Sequence, residues 1–254
     1  MELNKPYYKH QEVRLAGSKI VIPNVYALQR LGGGTDGLVY KYNDDIVVKI
    51  LKHDVEERKI KKLMTCQKAN YFYENLKLKR ITVPIDMALD TDGIYNGYAM
   101  KFLDDLSKMD KNSPNYKSSG EFTCGNLIYA ANELRDDFNQ LTKAKVVAKD
   151  INEGSYIFTP NFIYLCDTDK YYLVEKPPKD ENLKMYNYTI SKLLTYVMKK
   201  LPEYKKEDKK TLENWVKRCA NSGDYLQELS REIGSDYKTP ISEFAEYKMK
   251  KIIK

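Results

Sequence analysis

Hydrophobic and polar positions change their period once along the chain. In the front part, apolar residues are dense and β-branched or aromatic. Residues 20–31 and 38–50 are rich in Val, Ile and Tyr, which predicts half-buried strands. Tyr42-Asn43-Asp44-Asp45 interrupts the second stretch with turn-forming side chains, so 38–50 is expected to be a hairpin. Residues 83–89 and 97–103 predict a further strand pair, with Asp92-Gly93 in its turn. Between these pairs, 55–64 is charged except for Ile60, Leu63 and Met64, which share one face of a helix.

Beyond a polar stretch at 107–120, helical spacing takes over. Leu127, Ile128, Ala131, Leu134, Phe138 and Leu141 recur as one apolar face of a long helix. Residues 156–158 and 162–166 flank Thr159-Pro160-Asn161 and predict a short hairpin. Residues 190–198, 212–219, 225–233 and 241–253 read as helices. A strand-rich segment over 1–102 and a helical one over 103–254 imply an α+β chain of two lobes with a cleft.

Composition narrows the function classes. The 254 residues are 42% hydrophobic, too apolar for a disordered chain, and long enough to bury a core. No run reaches the roughly 18 apolar residues of a membrane span. Residues 1–12 lack the apolar core of a secretory signal. Cys66, Cys124, Cys166 and Cys219 stand singly, and His10 and His53 add no zinc spacing. Reduced thiols and a cytoplasmic location are therefore expected. The net charge of +7 arises from 43 basic and 36 acidic residues interleaved along the chain, which argues for solvated faces rather than a nucleic-acid surface.

The chemistry-bearing residues fall in a fixed order. Gly32-Gly33-Gly34-Thr35-Asp36-Gly37 satisfies GxGxxG. The Lys-Ser/Thr of a Walker loop is missing after it, and Leu38-Val39-Tyr40 predicts a strand where a dinucleotide site needs a helix. Strand, glycine loop, strand is the hairpin that covers nucleotide phosphates, and Gly32, Gly34, Gly37 and Val39 fit its longer GxGxxGxV form. Ten residues on, Lys49 ends the apolar run Ile46-Val47-Val48, where an ammonium is costly to bury unless it is paired. Glu56 and Glu57 in the following helix are candidate partners, and Glu57 can share the buried face. Asp150 follows the long helix, in Val-Val-Ala-Lys-Asp-Ile-Asn-Glu-Gly-Ser, and Asp167 ends the short hairpin. One carboxylate could orient a hydroxyl and the other could bind Mg²⁺.

On these residues the chain resembles the eukaryotic-like protein kinase superfamily from about 31 to 198. It is most similar to bacterial kinase-like domains with a GDIN-type catalytic loop and DxD in place of DFG. Val83-Pro84 and Gly97-Tyr98-Ala99-Met100 echo further elements of that group. The resemblance implies a bilobal protein-kinase-like fold with a shortened helical C-lobe. It also implies an ATP site with Gly32, Gly34 and Gly37 over the phosphates and Lys49 with Glu57 as an ion pair. Val39, Val47 and Ile157 would enclose adenine, and Met100, Phe102 and Leu103 would lie at the hinge. Asp150 would be the catalytic base, and Asp167 with Ser155 the Mg²⁺ ligands.

The departures from that pattern are specific. Ser155 stands where the second metal ligand is asparagine, Ala148-Lys149 replaces His-Arg, and no lysine follows two after Asp150. Asp169 replaces the DFG glycine, and the segment from Asp167 to a helix near Tyr188 is short and lacks Ala-Pro-Glu. Two functions stay open. One is a Mg·ATP phosphotransferase, a serine/threonine protein kinase acting on a protein hydroxyl. The other is a pseudokinase, a nucleotide-binding or interaction scaffold whose C-terminal helices hold a partner.

Overall fold

Residues 46–51 show how the first part of the chain is built. Val47, Lys49 and Leu51 point to one side of an extended strand and Ile46, Val48 and Ile50 to the other, as a period of two requires. A computed structural model describes residues 11–33, 37–51, 76–93, 95–103, 122–152, 155–158, 163–166, 168 and 170–253. The chain divides into two units, Met1–Leu76 with Thr82–Ser107 and Lys77–Ile81 with Lys108–Lys254. The architecture is α+β.

The first unit carries a seven-stranded antiparallel sheet. Its strands are β1 (Val13–Leu15), β2 (Val21–Ile22), β3 (Gln29–Gly33), β4 (Gly37–Lys41), β5 (Ile46–Leu51), β6 (Pro84–Leu89) and β7 (Tyr95–Lys101). Their order is β2-β1-β6-β7-β5-β4-β3. The expected 38–50 hairpin is β4–β5, closed by Asn43, whose Oδ1 accepts the N–H of Asp45 at 2.9 Å and of Ile46 at 2.8 Å. The 83–89 and 97–103 pair is β6–β7, and Gly93 in its turn has φ +75°, which suits glycine. The 20–31 stretch is not one strand. The Asn24 Oδ1 accepts the Tyr26 N–H at 3.0 Å and caps a single 3₁₀ turn, Val25–Ala27, so the run splits into β2 and β3. One face of the sheet buries Tyr40, Val48, Ile50, Ala88 and Ala99 under Val13, Leu15, Ile22 and Val25. Full burial of each Val, Leu or Ile among them contributes about 1.5–3 kcal/mol. The helix expected at 55–64 and the polar stretch at 107–120 lie outside the described residues.

The second unit is mainly helical: α1 (Cys124–Lys143), α2 (Lys179–Met198), α3 (Lys209–Ala220), α4 (Tyr225–Ile233) and α5 (Ile241–Ile253). Thr123 and Asn126 form a reciprocal capping box that starts α1. Helix α2 is buried on most sides and packs against each of the other four described helices of this unit. It begins at Lys179 rather than near Tyr188, because its first turn, Lys-Asp-Glu-Asn, has no apolar residue to mark it. Two small ladders complete the unit. β8 (Val146–Val147) pairs with β11 (Tyr172–Leu173), and β9 (Tyr156–Phe158) pairs with β10 (Ile163–Leu165), the hairpin expected at 156–166. Among the described residues no helix is long and apolar enough to cross a membrane.

Candidate functional site

In the first unit the alternation of β4, β5 and β7 gathers one set of side chains on the second face of the sheet. Val39, Lys49 and Tyr98 stand opposite one another across β4, β5 and β7. The neighbouring row is Lys41, Val47 and Met100. Val47, Leu51, Tyr98, Met100 and Phe102 form one apolar cluster, edged by Leu31 and Val39. Lys49 lies within this face and is only 7% exposed, with its ammonium 5.6 Å from the centre of the Tyr98 ring. Its expected partner Glu57 is outside the described residues, as is Gly34.

Two glycines set how closely the strands approach here. A Cβ on Gly37 would lie 2.3 Å from the Ile50 carbonyl oxygen, and one on Gly97 would lie 2.0 Å from that of Lys49. Neither position can hold a side chain without parting the strands that flank Lys49. Gly32 differs, since a Cβ there would meet nothing within 4 Å. At the end of β7, the Phe102 N–H is committed to the Asp45 carbonyl at 2.7 Å, and the Lys41 ammonium lies 4.5 Å over the Phe102 ring.

In the second unit Asp150 follows β8 in a left-handed conformation, φ +58°. That is uncommon for a residue with a side chain and is best tolerated by Asn and Asp. The loop closes on itself. The Ser155 N–H donates to the Asn152 carbonyl at 3.0 Å, and the Asn152 N–H donates to the Ser155 Oγ at 3.2 Å. Ser155 is therefore buried, 1% exposed, and its hydroxyl serves the turn. The Ser155 carbonyl accepts the Cys166 N–H at 2.8 Å, which joins this loop to the residue before Asp167. Asp167 itself lies outside the described residues. Ile157 sits on β9, half-buried, opposite Tyr164.

Three residues that sequence reasoning missed hold this arrangement. Asn182, on the first turn of α2, accepts the Ala148 N–H at 2.9 Å and donates to the Val146 carbonyl at 2.8 Å and the Thr142 Oγ1 at 2.9 Å. Asp137, fully buried on α1, accepts the N–H groups of Lys79, Arg80 and Ile81. Burial pushes its carboxyl above the usual range, against the pull of those donors and of Arg80. The segment so held bonds to β10, where Leu165 donates to the Arg80 carbonyl at 2.8 Å. Third, the Lys170 ammonium is ion-paired with Asp150 Oδ2. Lys149, which precedes the aspartate, instead lies 5.8 Å over the Tyr172 ring. A polar residue beside an apolar helical stripe, as Asp137 is beside Leu134, Phe138 and Leu141, was the available signal. Neither the family models nor the curated proteins compared with this chain give a match.

Proposed function

We propose that the chain is a Mg·ATP-dependent phosphotransferase of protein-kinase-like bilobal fold, a serine/threonine protein kinase that moves the ATP γ-phosphoryl group to a protein hydroxyl. The observation that carries the reading is the sheet face on which Val39, Val47, Lys49, Met100 and Phe102 meet. An apolar slab suits a flat purine ring, and a low-exposure ammonium beside it suits phosphate oxygens. The open side of Gly32 suits a backbone contact to those phosphates, the role the resemblance also gives to Gly34 and Gly37.

In this reading Lys49 holds the α- and β-phosphates and Glu57 fixes its ammonium. The Leu103 N–H is the hinge donor for adenine, since that of Phe102 is already used. Asp150 takes the acceptor proton as the hydroxyl oxygen bonds to the γ-phosphorus, and the bond to the bridging oxygen breaks to release ADP. Asp167 and the remaining lone pair of Ser155 would hold Mg²⁺, which supplies charge neutralisation on the phosphates. Asn182 and the 150–155 turn keep Asp150 in place.

The test is calorimetric titration with ATP, with and without Mg²⁺, followed by transfer assays. Binding that tightens with the metal, weakens in Lys49→Ala and persists in Asp150→Asn without transfer is the expected result. No binding, or binding indifferent to Mg²⁺, overturns the reading in favour of an interaction scaffold.

A further inference from the structure

We infer that Lys170 is the positioning residue of the candidate base, supplying to Asp150 the cation that its own loop lacks. The inference rests on the phosphotransferase reading above. Position 152, on the same loop, is Asn152, whose amide reaches the Asp150 carbonyl at 3.4 Å rather than the carboxylate. Lys149 is turned to Tyr172. Among the described residues, the cation bonded to the Asp150 carboxylate is Lys170.

The meeting is built by the backbone. β8 and β11 are antiparallel, with Val147 opposite Tyr172. Continuing forward from Val147 and backward from Tyr172 therefore brings Asp150 and Lys170 to the same end of the ladder. Both sides are held. Asn182 clamps Val146 and Ala148, while the Tyr171 N–H donates to the Thr168 carbonyl at 3.1 Å and Tyr171 is buried.

An ion pair with side chains 41% and 43% exposed adds little to stability. Its consequence is orientation. Lys170 occupies Oδ2. Oδ1 is thus the atom that accepts the acceptor proton. As that proton moves, the acceptor oxygen bonds to the γ-phosphorus, the bridging bond breaks with its electron pair going to ADP, and the proton later leaves Oδ1 for solvent. A carboxylate that could rotate would present the wrong oxygen for part of the time, and geometry of this kind governs rate more than affinity.

The experiment measures ADP release from Mg·ATP with water as acceptor, in wild type, Lys170→Ala, Lys170→Arg, Asp150→Asn and the Lys170→Ala/Asp150→Asn double variant. Lys170→Ala is expected to lower kcat by about 10- to 100-fold with KM for ATP within about twofold and an unchanged melting temperature. Lys170→Arg should restore most of the rate. The double variant should be no slower than Asp150→Asn alone, because the lysine acts through the aspartate. Wild-type or higher kcat in Lys170→Ala, a raised KM alone, or additive losses in the double variant would overturn the inference while leaving the phosphotransferase reading intact. A wild-type protein that neither binds Mg·ATP nor releases ADP overturns both.

Discussion

The Asn182 Oδ1 accepts the Ala148 N–H at 2.9 Å, and that bond ties helix α2 to the residue two before Asp150. The same amide donates to Val146 and Thr142, so one buried side chain satisfies three partners from α1, β8 and the loop beyond it. Asn182→Ala leaves those groups unpaired in a dry site, at about 1–3 kcal/mol for each buried group left without a partner. A stability loss of about 2–4 kcal/mol in urea unfolding is expected, and under the proposed function phosphotransfer falls alongside. Asn182→Asp should do no better. A carboxylate can accept from Ala148 but repels the Val146 carbonyl. Full stability in Asn182→Asp would show that the donor half of the clamp carries nothing.

Asp137 is the second buried clamp, and its loss should be local as well as global. Its carboxylate gathers three successive N–H groups of residues 79–81. Asp137→Ala should destabilise the protein by about 2–4 kcal/mol and abolish slow hydrogen exchange at Lys79, Arg80 and Ile81 before the rest of the second unit is affected. Unchanged protection at those three amides would mean that the segment is held by β10 instead.

Much of this frame was legible in the sequence where an element was long enough to show its period. The β4–β5 hairpin follows from alternation plus the Asn43 turn, and α1 from its apolar spacing. The face shared by Val39, Val47 and Lys49 follows from the same alternation, as does the position of Met100 on the next strand. What escaped was short or non-local. β8 and β11 have two residues each, too few for a period, yet their pairing is what brings Lys170 to Asp150. The Asn24 cap split a run that composition alone made continuous, and the polar first turn of α2 hid both its start and Asn182. Glu57, Gly34 and Asp167 were legible only as motif positions.

Acid should weaken the second unit through Asp224. This residue caps α4 by accepting the Gln227 N–H at 3.0 Å and is ion-paired with Arg135 on α1. Burial raises its pKa, but the hydrogen bonds and charge of Arg135 with the α4 N–H groups outweigh that and hold the carboxyl below its usual value. A group depressed in the folded state contributes stability that is present above its unfolded pKa and is lost as pH falls through the folded one. Asp224→Asn keeps a cap acceptor but loses the charge, so about 0.5–1 kcal/mol should disappear at pH 7 and almost none at pH 2. An equal deficit at both pH values would assign the effect to packing.

Thiol reactivity should follow burial. Burial, with Asp236 and Glu243 nearby, pushes the Cys124 thiol up to about 11, and burial does the same to Cys219. At pH 8 a shift of that size cuts the thiolate fraction by about 100-fold, and the thiolate is the nucleophile. Iodoacetamide on native protein, read by mass spectrometry, should label both residues at least 100-fold more slowly than after denaturation, with part-exposed Cys166 faster than either. Rapid labelling of Cys219 would show that α3 and α4 separate in solution.

Glycine substitutions separate a ligand contact from a packing contact on the sheet of the first unit. Gly97 has no room for a side chain, since its Cβ would lie 2.0 Å from the Lys49 carbonyl oxygen and both atoms belong to the paired backbones of β5 and β7. Gly97→Ala must part those strands, so a loss of about 2–4 kcal/mol is expected, together with a displaced Lys49 and, under the proposed function, weakened nucleotide binding. Gly32 has nothing within 4 Å of its would-be Cβ, so Gly32→Ala should leave stability within about 0.5 kcal/mol of wild type. If backbone at Gly32 approaches phosphate, a methyl group there intrudes on the ligand alone, and Mg·ATP affinity should fall at least tenfold in a fully stable protein. Unchanged affinity in Gly32→Ala would remove Gly32 from the nucleotide contacts and leave the sheet face around Lys49 to account for binding.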